Sequence, residues 1–563
     1  MSQRVSRYED QGREPRRPGP FQPLLMPGVL VLGILIGYNL MDGPVFVQSD
    51  EPSGNPGKLV RVLNQIEKHY VDTVEQQALI DEAIGAVLEK LDPHSYYISP
   101  EDYLAVQERM QGNFEGIGIE FIIRDDTLVV VEPLEGGPSL RAGIQSGDKI
   151  ITVDGDAISG TGINSERVTE ELKGPSNSPV SLGIQRKGES ELLEFSLKRG
   201  RIPIHSVVAS LMVAPKVGYI KVTQFAANTH AEFVKGLEEL ADEGATSIII
   251  DFRGNPGGYL DQARHTVEEF LEKDRLIVFT QGRKEPEDKS YSRRNGKYQD
   301  MNVVILQNQS SASASEVVAG ALQDWDRALT VGRRSFGKGL VQHEYGLGDN
   351  SAIRLTVARY YTPTGRCIQK PYGDEIEYGE DYHDRFESGE LLNADSIAQP
   401  DSLKYYTPAG RLVYGGGGIT PDVFVPLDTV GGSAYLSELS YSGLIREFGF
   451  DYYDRHRDEL ERFKSHQDFD EKWSPSEAFI SEFVAYAAAH DVEEDAIGLE
   501  DSREVIENRL TAYVAKNIFG QEYFYYFDLQ DDNDFLKSLE VARAYDDYFA
   551  QSVNKSKALA EAK

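Results

Sequence analysis

Three short segments hold side chains whose types and spacing could do chemistry. In the first, an isoleucine run from Ile248 to Ile250 ends in Asp251-Phe252-Arg253-Gly254-Asn255-Pro256-Gly257-Gly258. A buried strand that stops in a glycine-rich turn can aim several backbone N–H groups at one point. An ordinary strand-to-helix loop has the same composition. In the second, Val303-Val304-Ile305-Leu306-Gln307 leads through Ser311-Ala312-Ser313-Ala314-Ser315-Glu316 into Val317-Val318-Ala319-Gly320-Ala321-Leu322. A hydroxyl at that junction sits at the positive end of a helix, where N–H groups can stabilise an oxyanion. Taken alone, these serines read equally as helix caps. The third segment is Gly332-Arg333-Arg334-Ser335-Phe336-Gly337-Lys338-Gly339-Leu340-Val341-Gln342. It nearly spells a phosphate-binding G-x-x-x-x-G-K-[ST], but Gly339 stands where the magnesium-binding hydroxyl belongs. Strand-like residues follow it instead of a helix, so a nucleotide site is not expected.

A serine hydroxyl is a weak nucleophile until a neighbouring base takes its proton. An exposed lysine, with a pKa of about 10.4, is almost wholly protonated at neutral pH. Desolvation lowers that value toward the working range, and Phe336 and Leu340 could supply the apolar surroundings. On a strand, Lys338 and Gln342 share a face by the period of two, so Gln342 could orient the amine. Competing chemistries find less. Ser313 is not in a G-x-S-x-G elbow. None of the ten histidines lies in a comparably distinctive segment, and no H-E-x-x-H offers zinc ligands. The single cysteine, Cys367, excludes an intramolecular disulfide and a multi-cysteine zinc site. Its neighbours from Tyr361 to Ile368 include no histidine to activate a thiol. His94, in Asp92-Pro93-His94-Ser95, reads as a structural hydrogen bonder and not as a ligand.

The elements that must carry these segments follow from periodicity. From about 201 to 430, strands at 217–222, 247–251 and 303–307 alternate with helices near 229–242, 259–272 and 314–326. That alternation indicates an α/β layer. From about 112 to 200, short strands, glycine turns and one small helix near 166–172 suggest a compact β-rich module. Residues 58 to 110 follow helical spacing, with Val60, Leu63 and Ile66, then Ile80, Ile84, Val87, Leu88 and Leu91. Those stripes read as core or dimer packing. From about 431 onward the chain is helical, acidic and rich in tyrosine and phenylalanine, and no chemistry is read there.

Length and charge bound the rest. At 563 residues the chain is too long for one hydrophobic core. Its 58 basic against 92 acidic residues give a formal net charge of −34, which repels phosphate backbones and argues against nucleic acid as a partner. Arg4, Arg7, Arg13, Arg16 and Arg17 precede an uncharged stretch from Phe21 to Met41, just long enough for a membrane helix. Asp42, Asp50 and Glu51 follow it, which puts the N-terminus in the cytoplasm. No alanine occurs before Ala78, against a cleaved signal peptide. The expectation is a single-pass inner-membrane protein whose chain beyond residue 42 works on the periplasmic side.

In this order, the three segments resemble the signature blocks of the carboxyl-terminal processing peptidases, also called tail-specific proteases. Leu91-Asp92-Pro93-His94-Ser95 and Gly416-Gly417-Gly418-Ile419-Thr420-Pro421-Asp422-Val423 are similar to flanking family patterns, and the likeness covers about 58 to 428. The resemblance implies that Ser313 is the nucleophile, Lys338 its base and Gln342 the helper. It implies that the N–H groups of Gly258 and Ala314 hold the oxyanion. Residues 113 to 200 resemble the PDZ domain of such enzymes, with Gly116-Ile117-Gly118-Ile119 as the loop for a peptide carboxylate. The glycines alone would also suit a plain turn. A PDZ domain adds an extended peptide to a sheet edge and holds its terminal carboxylate on loop N–H groups.

The fold class that follows is an α/β peptidase core, close to the crotonase and Clp-protease ββα spiral, with an inserted PDZ domain, N-terminal helices and a helical C-terminal extension. The expected organisation is a cytoplasmic N-terminus (1–20), a transmembrane signal anchor (21–41), a linker (42–57) and a helical region (58–112). A PDZ domain (113–200), a Ser/Lys peptidase core (201–430) and an acidic helical extension (431–563) follow. An insertion at 371–405 and the extension depart from the minimal family pattern. No cofactor or metal is implied. The implied partners are protein substrates with accessible C-termini, the membrane through the N-terminal helix, and further copies of the chain through the N-terminal helices. The competing class is a PDZ peptide-binding scaffold that kept the fold and lost catalysis. Retention of Ser313, Lys338 and Gln342 together argues against it.

Overall fold

Short runs of isoleucine, valine and leucine build the centre of the fold. The structure is a computed structural model that describes residues 57–373, 378–397 and 401–561. Six strands form the central sheet in the order Val207–Ala214, Val217–Val222, Ser247–Asp251, Asn302–Gln307, Ala328–Gly332 and Val423–Phe424. The first pair is antiparallel and the others are parallel. Parallel strands need both faces covered, and alternate residues serve the two faces. Ile248, Ile250, Val303 and Ile305 pack under the helices Thr229–Asp242, Leu260–Glu268 and Ala314–Asp324. Ile249, Val304, Leu306 and Val331 face the other way, onto Leu529, Phe535, Val541 and Tyr545. The last helices, Asn533–Arg543 and Tyr545–Glu561, therefore supply the third layer of the α/β core.

A second sheet stands beside the first. It holds Tyr96–Ile98, Ala352–Tyr361, Leu276–Gln281 and Asp288–Tyr291, with Leu340–Gly346 paired to Ala352–Tyr361. The strand Tyr96–Ile98 interrupts a region expected to be helical, and it pairs with residues more than 250 positions away in sequence. The β-rich module is a sheet of Ile119–Arg124, Thr127–Pro133, Lys149–Val153, Pro179–Gln185 and Leu193–Lys198, closed by the helix Ser165–Leu172. Asn113–Gly116 pairs with Gly200–Pro203 at its neck.

Helices from Ala434–Tyr441 to Gln521–Asp528 form a bundle with an aromatic core that includes Phe448, Phe469, Phe479, Phe483 and Phe527. This bundle grips the β-rich module from outside. Phe450 packs on Ile122, Val129 and Val131, Lys516 pairs with Glu120 at 2.9 Å, and Arg124 pairs with Asp451.

The chain divides into two units, 1–80 and 81–563. In the first, the helix Gly57–His69 has no buried residue, so the stripe of Val60, Leu63 and Ile66 is not core packing. The expected inner-membrane location requires correction. Among the described residues no helix is long and apolar enough to cross a membrane. The longest, Ala496–Phe519, carries Glu500, Asp501, Arg503, Glu504, Glu507, Arg509 and Lys516. The segment 21–41 on which the expectation rested lies outside the described residues, as do 1–20 and all but the last residue of the linker.

Candidate active site

The strand Asn302–Gln307 stops, and within seven residues the helix Ala314–Asp324 begins. Ser313 takes the turn between them with φ +56°, a left-handed conformation that a side-chain-bearing residue adopts only where its surroundings hold it there. The three serines of the run differ in what they touch. Ser311 Oγ donates to the Phe252 carbonyl at 2.8 Å and Ser315 Oγ to that of Asn255 at 3.3 Å, and both are buried. Ser313 is only half-buried. The glycine turn lies directly against it. A Cβ added to Gly257 would stand 2.7 Å from Ser313 Cβ and 2.8 Å from the Ala314 nitrogen, and one on Gly258 would strike the Phe225 carbonyl oxygen at 2.1 Å. Glycine at both positions is what allows the approach. Asn255 fixes the turn: its side chain accepts from Gly257 N–H and donates to Val222, while its carbonyl accepts from Ala312 N–H. Gly258 and Ala314 are thus brought to one place. Neither N–H is spent on a backbone acceptor among the described residues.

Lys338 reaches the same place through a carboxylate that sequence reasoning passed over. Glu316 is fully buried and accepts four hydrogen bonds. Its Oε2 takes the N–H groups of Ser313 at 2.8 Å and Lys338 at 2.9 Å. Its Oε1 takes Gly337 N–H at 2.7 Å and Ser335 Oγ–H at 2.5 Å. Burial raises its pKa, and the four donors oppose the rise. The Tyr360 hydroxyl closes the other side, donating to the carbonyls of Lys338 at 2.5 Å and Ser313 at 3.1 Å. The backbones of residues 313 and 338 are therefore tied together through both their N–H and their C=O groups. The Lys338 ammonium itself has no hydrogen-bond or ion-pair partner among the described residues. Burial lowers its pKa below the ordinary lysine value of 10.5; the Arg354 charge adds to this, and Glu316 and Asp92 pull the other way. Burial thus favours the neutral amine more than water does.

Gln342 departs from the expectation built on strand alternation. The strand begins at Leu340, after Lys338, and its register shifts between Val341 and Gln342, so the period of two does not carry across. The Gln342 amide donates to the His94 carbonyl. His94 is structural, as its sequence suggested, although it stands beside the lysine. Its Nε2 meets Tyr378 Oη at 2.8 Å, and burial with the Lys338 and Lys370 charges takes its pKa down to about 4. The insertion furnishes the wall here. Arg385 donates to three successive carbonyls, Arg334 at 3.1 Å, Ser335 at 3.0 Å and Phe336 at 3.1 Å, just before Lys338. The Lys370 ammonium lies 3.9 Å from the Phe336 ring centre and 4.0 Å from that of Tyr378, and pairs with Asp381 at 3.0 Å.

Glu316 had a sequence signal, since serine followed three residues later by glutamate is the capping-box pattern. Tyr360 and Arg385 had none, because nothing local marks a residue that reaches across the fold.

In the β-rich module the loop glycines also earn their place. Gly118 has φ +75°, and an added Cβ would lie 2.8 Å from Ile202 Cγ1. Gly116 pairs with Gly200, Ile117 is buried in the module's core, and Ile119 opens the edge strand. The Ile117 carbonyl accepts from Ser139, and that of Gly118 from Leu134. The N–H groups of Ile117 and Gly118 have no backbone acceptor among the described residues. Gly116 lies beside the end of the helix Ser165–Leu172, with its would-be Cβ 3.3 Å from the Leu172 carbonyl.

The family model for peptidase family S41 matches residues 216–378, one for the PDZ domain matches 116–197, and one for a family of unknown function matches 435–520. The chain is 35% identical over 347 residues to a carboxy-terminal-processing protease of Bartonella bacilliformis, covering 60% of this chain and 79% of that protein. It is 33% identical over 371 residues to the carboxy-terminal processing protease CtpB of Bacillus subtilis, covering 64% and 76%. Among solved structures, the photosystem II D1 C-terminal processing protease is similar at 26% identity and a TM-score of 0.33, covering 67% of this chain and 95% of that one.

Proposed function

Because this chain belongs to peptidase family S41, among the carboxy-terminal processing proteases, and is a serine peptidase with a PDZ domain, we propose that it cleaves protein chains with a Ser313/Lys338 dyad after its PDZ domain has taken hold of their C-termini. The observation that carries the dyad is the double tie between residues 313 and 338 through Glu316 and Tyr360.

The steps follow from the site. Neutral Lys338 takes the proton of the Ser313 hydroxyl as Oγ bonds to the scissile carbonyl carbon. The carbonyl oxygen becomes an oxyanion, held by the N–H groups of Gly258 and Ala314 at the positive end of the helix Ala314–Asp324. When the tetrahedral adduct collapses, the C–N bond breaks and the Lys338 ammonium gives its proton to the leaving amine. Water then attacks the acyl-enzyme as Lys338 takes its proton. When this second adduct collapses the C–Oγ bond breaks, the Lys338 ammonium returns the proton to Ser313 Oγ, and the substrate fragment leaves with a new carboxyl terminus. Gln342 acts on this reading through the His94 loop that walls the lysine, its amide holding that carbonyl. Unfolded proteins with accessible tails are the substrates such an enzyme would take.

Tail recognition has its own test. A fluorescent peptide ending in an apolar residue should bind the full-length Ser313→Ala protein. Amidating its C-terminus removes the charge that the N–H groups of Ile117 and Gly118 would hold. Binding should then weaken at least about tenfold, or 1.4 kcal/mol. Equal affinity for the two peptides would remove carboxylate capture from the account. Amidation is a cleaner probe than Gly118→Val, because the left-handed backbone at Gly118 makes that change a disturbance of the module itself.

A further inference from the structure

Among the described residues, the C-terminal extension meets the machinery at the start of its penultimate helix. The turn that starts the helix Asn533–Arg543 carries Asp532 and Asp534. Asp534 receives Arg333 in a two-pronged pair, Nη1 to Oδ1 and Nη2 to Oδ2, both at 2.8 Å. Asp532 Oδ2 receives Arg253 Nη1 at 2.5 Å, and Asp534 Oδ2 stands 3.5 Å from the same nitrogen. Arg253 is held from its other side by Asp251, through Nη2 at 2.8 Å, and its carbonyl accepts from Lys221. Arg333, Asp251 and Asp534 are buried, and Phe535 seals the contact with its ring edge-on to Tyr219 at 5.7 Å. Charge-assisted, paired hydrogen bonds in so dry a place are strong and geometrically exacting.

The two arginines are the roots of the two catalytic loops. Arg253 opens the turn whose Gly257 lies on Ser313 and whose Gly258 offers an oxyanion donor. Arg333 opens the loop that ends at Lys338. One turn of the extension therefore sets one loop against the other. We propose that Asp532 and Asp534 are positioning residues of the peptidase, acting through Arg253 and Arg333 to hold the oxyanion turn and the lysine loop in mutual register. The proposal rests on the Ser313/Lys338 reading and gives the C-terminal extension a part in the reaction. Asp532 and Asp534 lie outside the span that matches the S41 model.

The test uses the full-length chain, with far-UV circular dichroism confirming folding at the assay temperature. Turnover of a short peptide is measured beside the rate at which a phosphonate probe labels Ser313. Asp534→Asn should lower kcat and the labelling rate together, by about tenfold or more. KM for the short peptide should stay within about twofold, and Asp534→Glu should recover part of the loss. Asp532→Asn, at a partly exposed carboxylate, should show the same pattern more weakly, and it decides the matter if Asp534→Asn does not fold. Parental labelling by a folded Asp534→Asn or Asp532→Asn protein would overturn the proposal. Failure of the parent chain to be labelled at Ser313 would be a different result, striking the dyad itself.

Discussion

Replacing either Ser313 or Lys338 with alanine is expected to remove cleavage of an unfolded protein, with a loss of about 10⁴-fold or more in kcat. Without Ser313 there is no atom to carry the acyl group. Without Lys338 the hydroxyl keeps its proton, because no other described group next to it is suited to the task. Glu316 is turned away, with all four of its hydrogen bonds given to Ser313, Ser335, Gly337 and Lys338. His94 is engaged with Tyr378. Because the two residues act as a unit, the double variant should be no worse than either single one. Ser311→Ala and Ser315→Ala should keep measurable activity, since those hydroxyls support the turn through Phe252 and Asn255. Gel analysis of a denatured test protein checks all five variants. Full activity in Ser313→Ala would end the account.

The second large effect should come from Glu316. Glutamine has nearly the same size but offers one acceptor oxygen in place of two, and its NH₂ must face buried N–H donors. If the amide oxygen stays with Ser313 and Lys338, the Gly337 N–H loses its partner; if the amide flips, both reacting residues do. An unpaired buried donor costs about 1–3 kcal/mol, so stability should also fall. Well below the unfolding temperature, kcat should still be down by about 10²-fold, as displacement of a reacting group by an ångström produces. KM for a short peptide should change little, because Glu316 is fully buried. Steady-state kinetics at a temperature where circular dichroism reports a folded protein separates the two effects. A folded Glu316→Gln protein with parental kcat would show that the carboxylate is only structural.

Much of this site was legible before any coordinates. Val303 to Leu306 could only be buried strand, and a run of small residues before Val317 could only be a sharp entry to a helix. The glycine turn after Asp251 was visible in its composition, although an ordinary strand-to-helix loop has the same one. What could not be read was the meeting of these parts. Nothing local states that Ser313 is held at φ +56°, or that Tyr360 spans the carbonyls of Ser313 and Lys338. Strand alternation does not relate Gln342 to Lys338, because the strand starts two residues after the lysine and carries a bulge before Gln342. The role of the extension was hidden for a similar reason. Runs such as Ile248-Ile249-Ile250 announce that both faces of a sheet are covered, but the helices between 229 and 324 cover only one. The sequence does not say that the other cover is Phe535 and Val541, nearly 300 residues further on.

The pH dependence of Ser313 labelling tests the central claim most directly. Lys338 must be neutral to act, and burial lowers its pKa from the ordinary 10.5. The proton comes off as pH rises, so reactivity must rise with it. Phosphonate-treated protein, digested and mapped by mass spectrometry across a pH series, should carry its adduct on Ser313. The labelling rate should climb through an apparent pKa well below that of a free lysine. In Lys338→Ala the rate should be slow throughout and lack that step. A rate that falls above neutrality, an adduct on another residue, or a Lys338→Ala protein labelled as fast as the parent would contradict a Ser313/Lys338 peptidase.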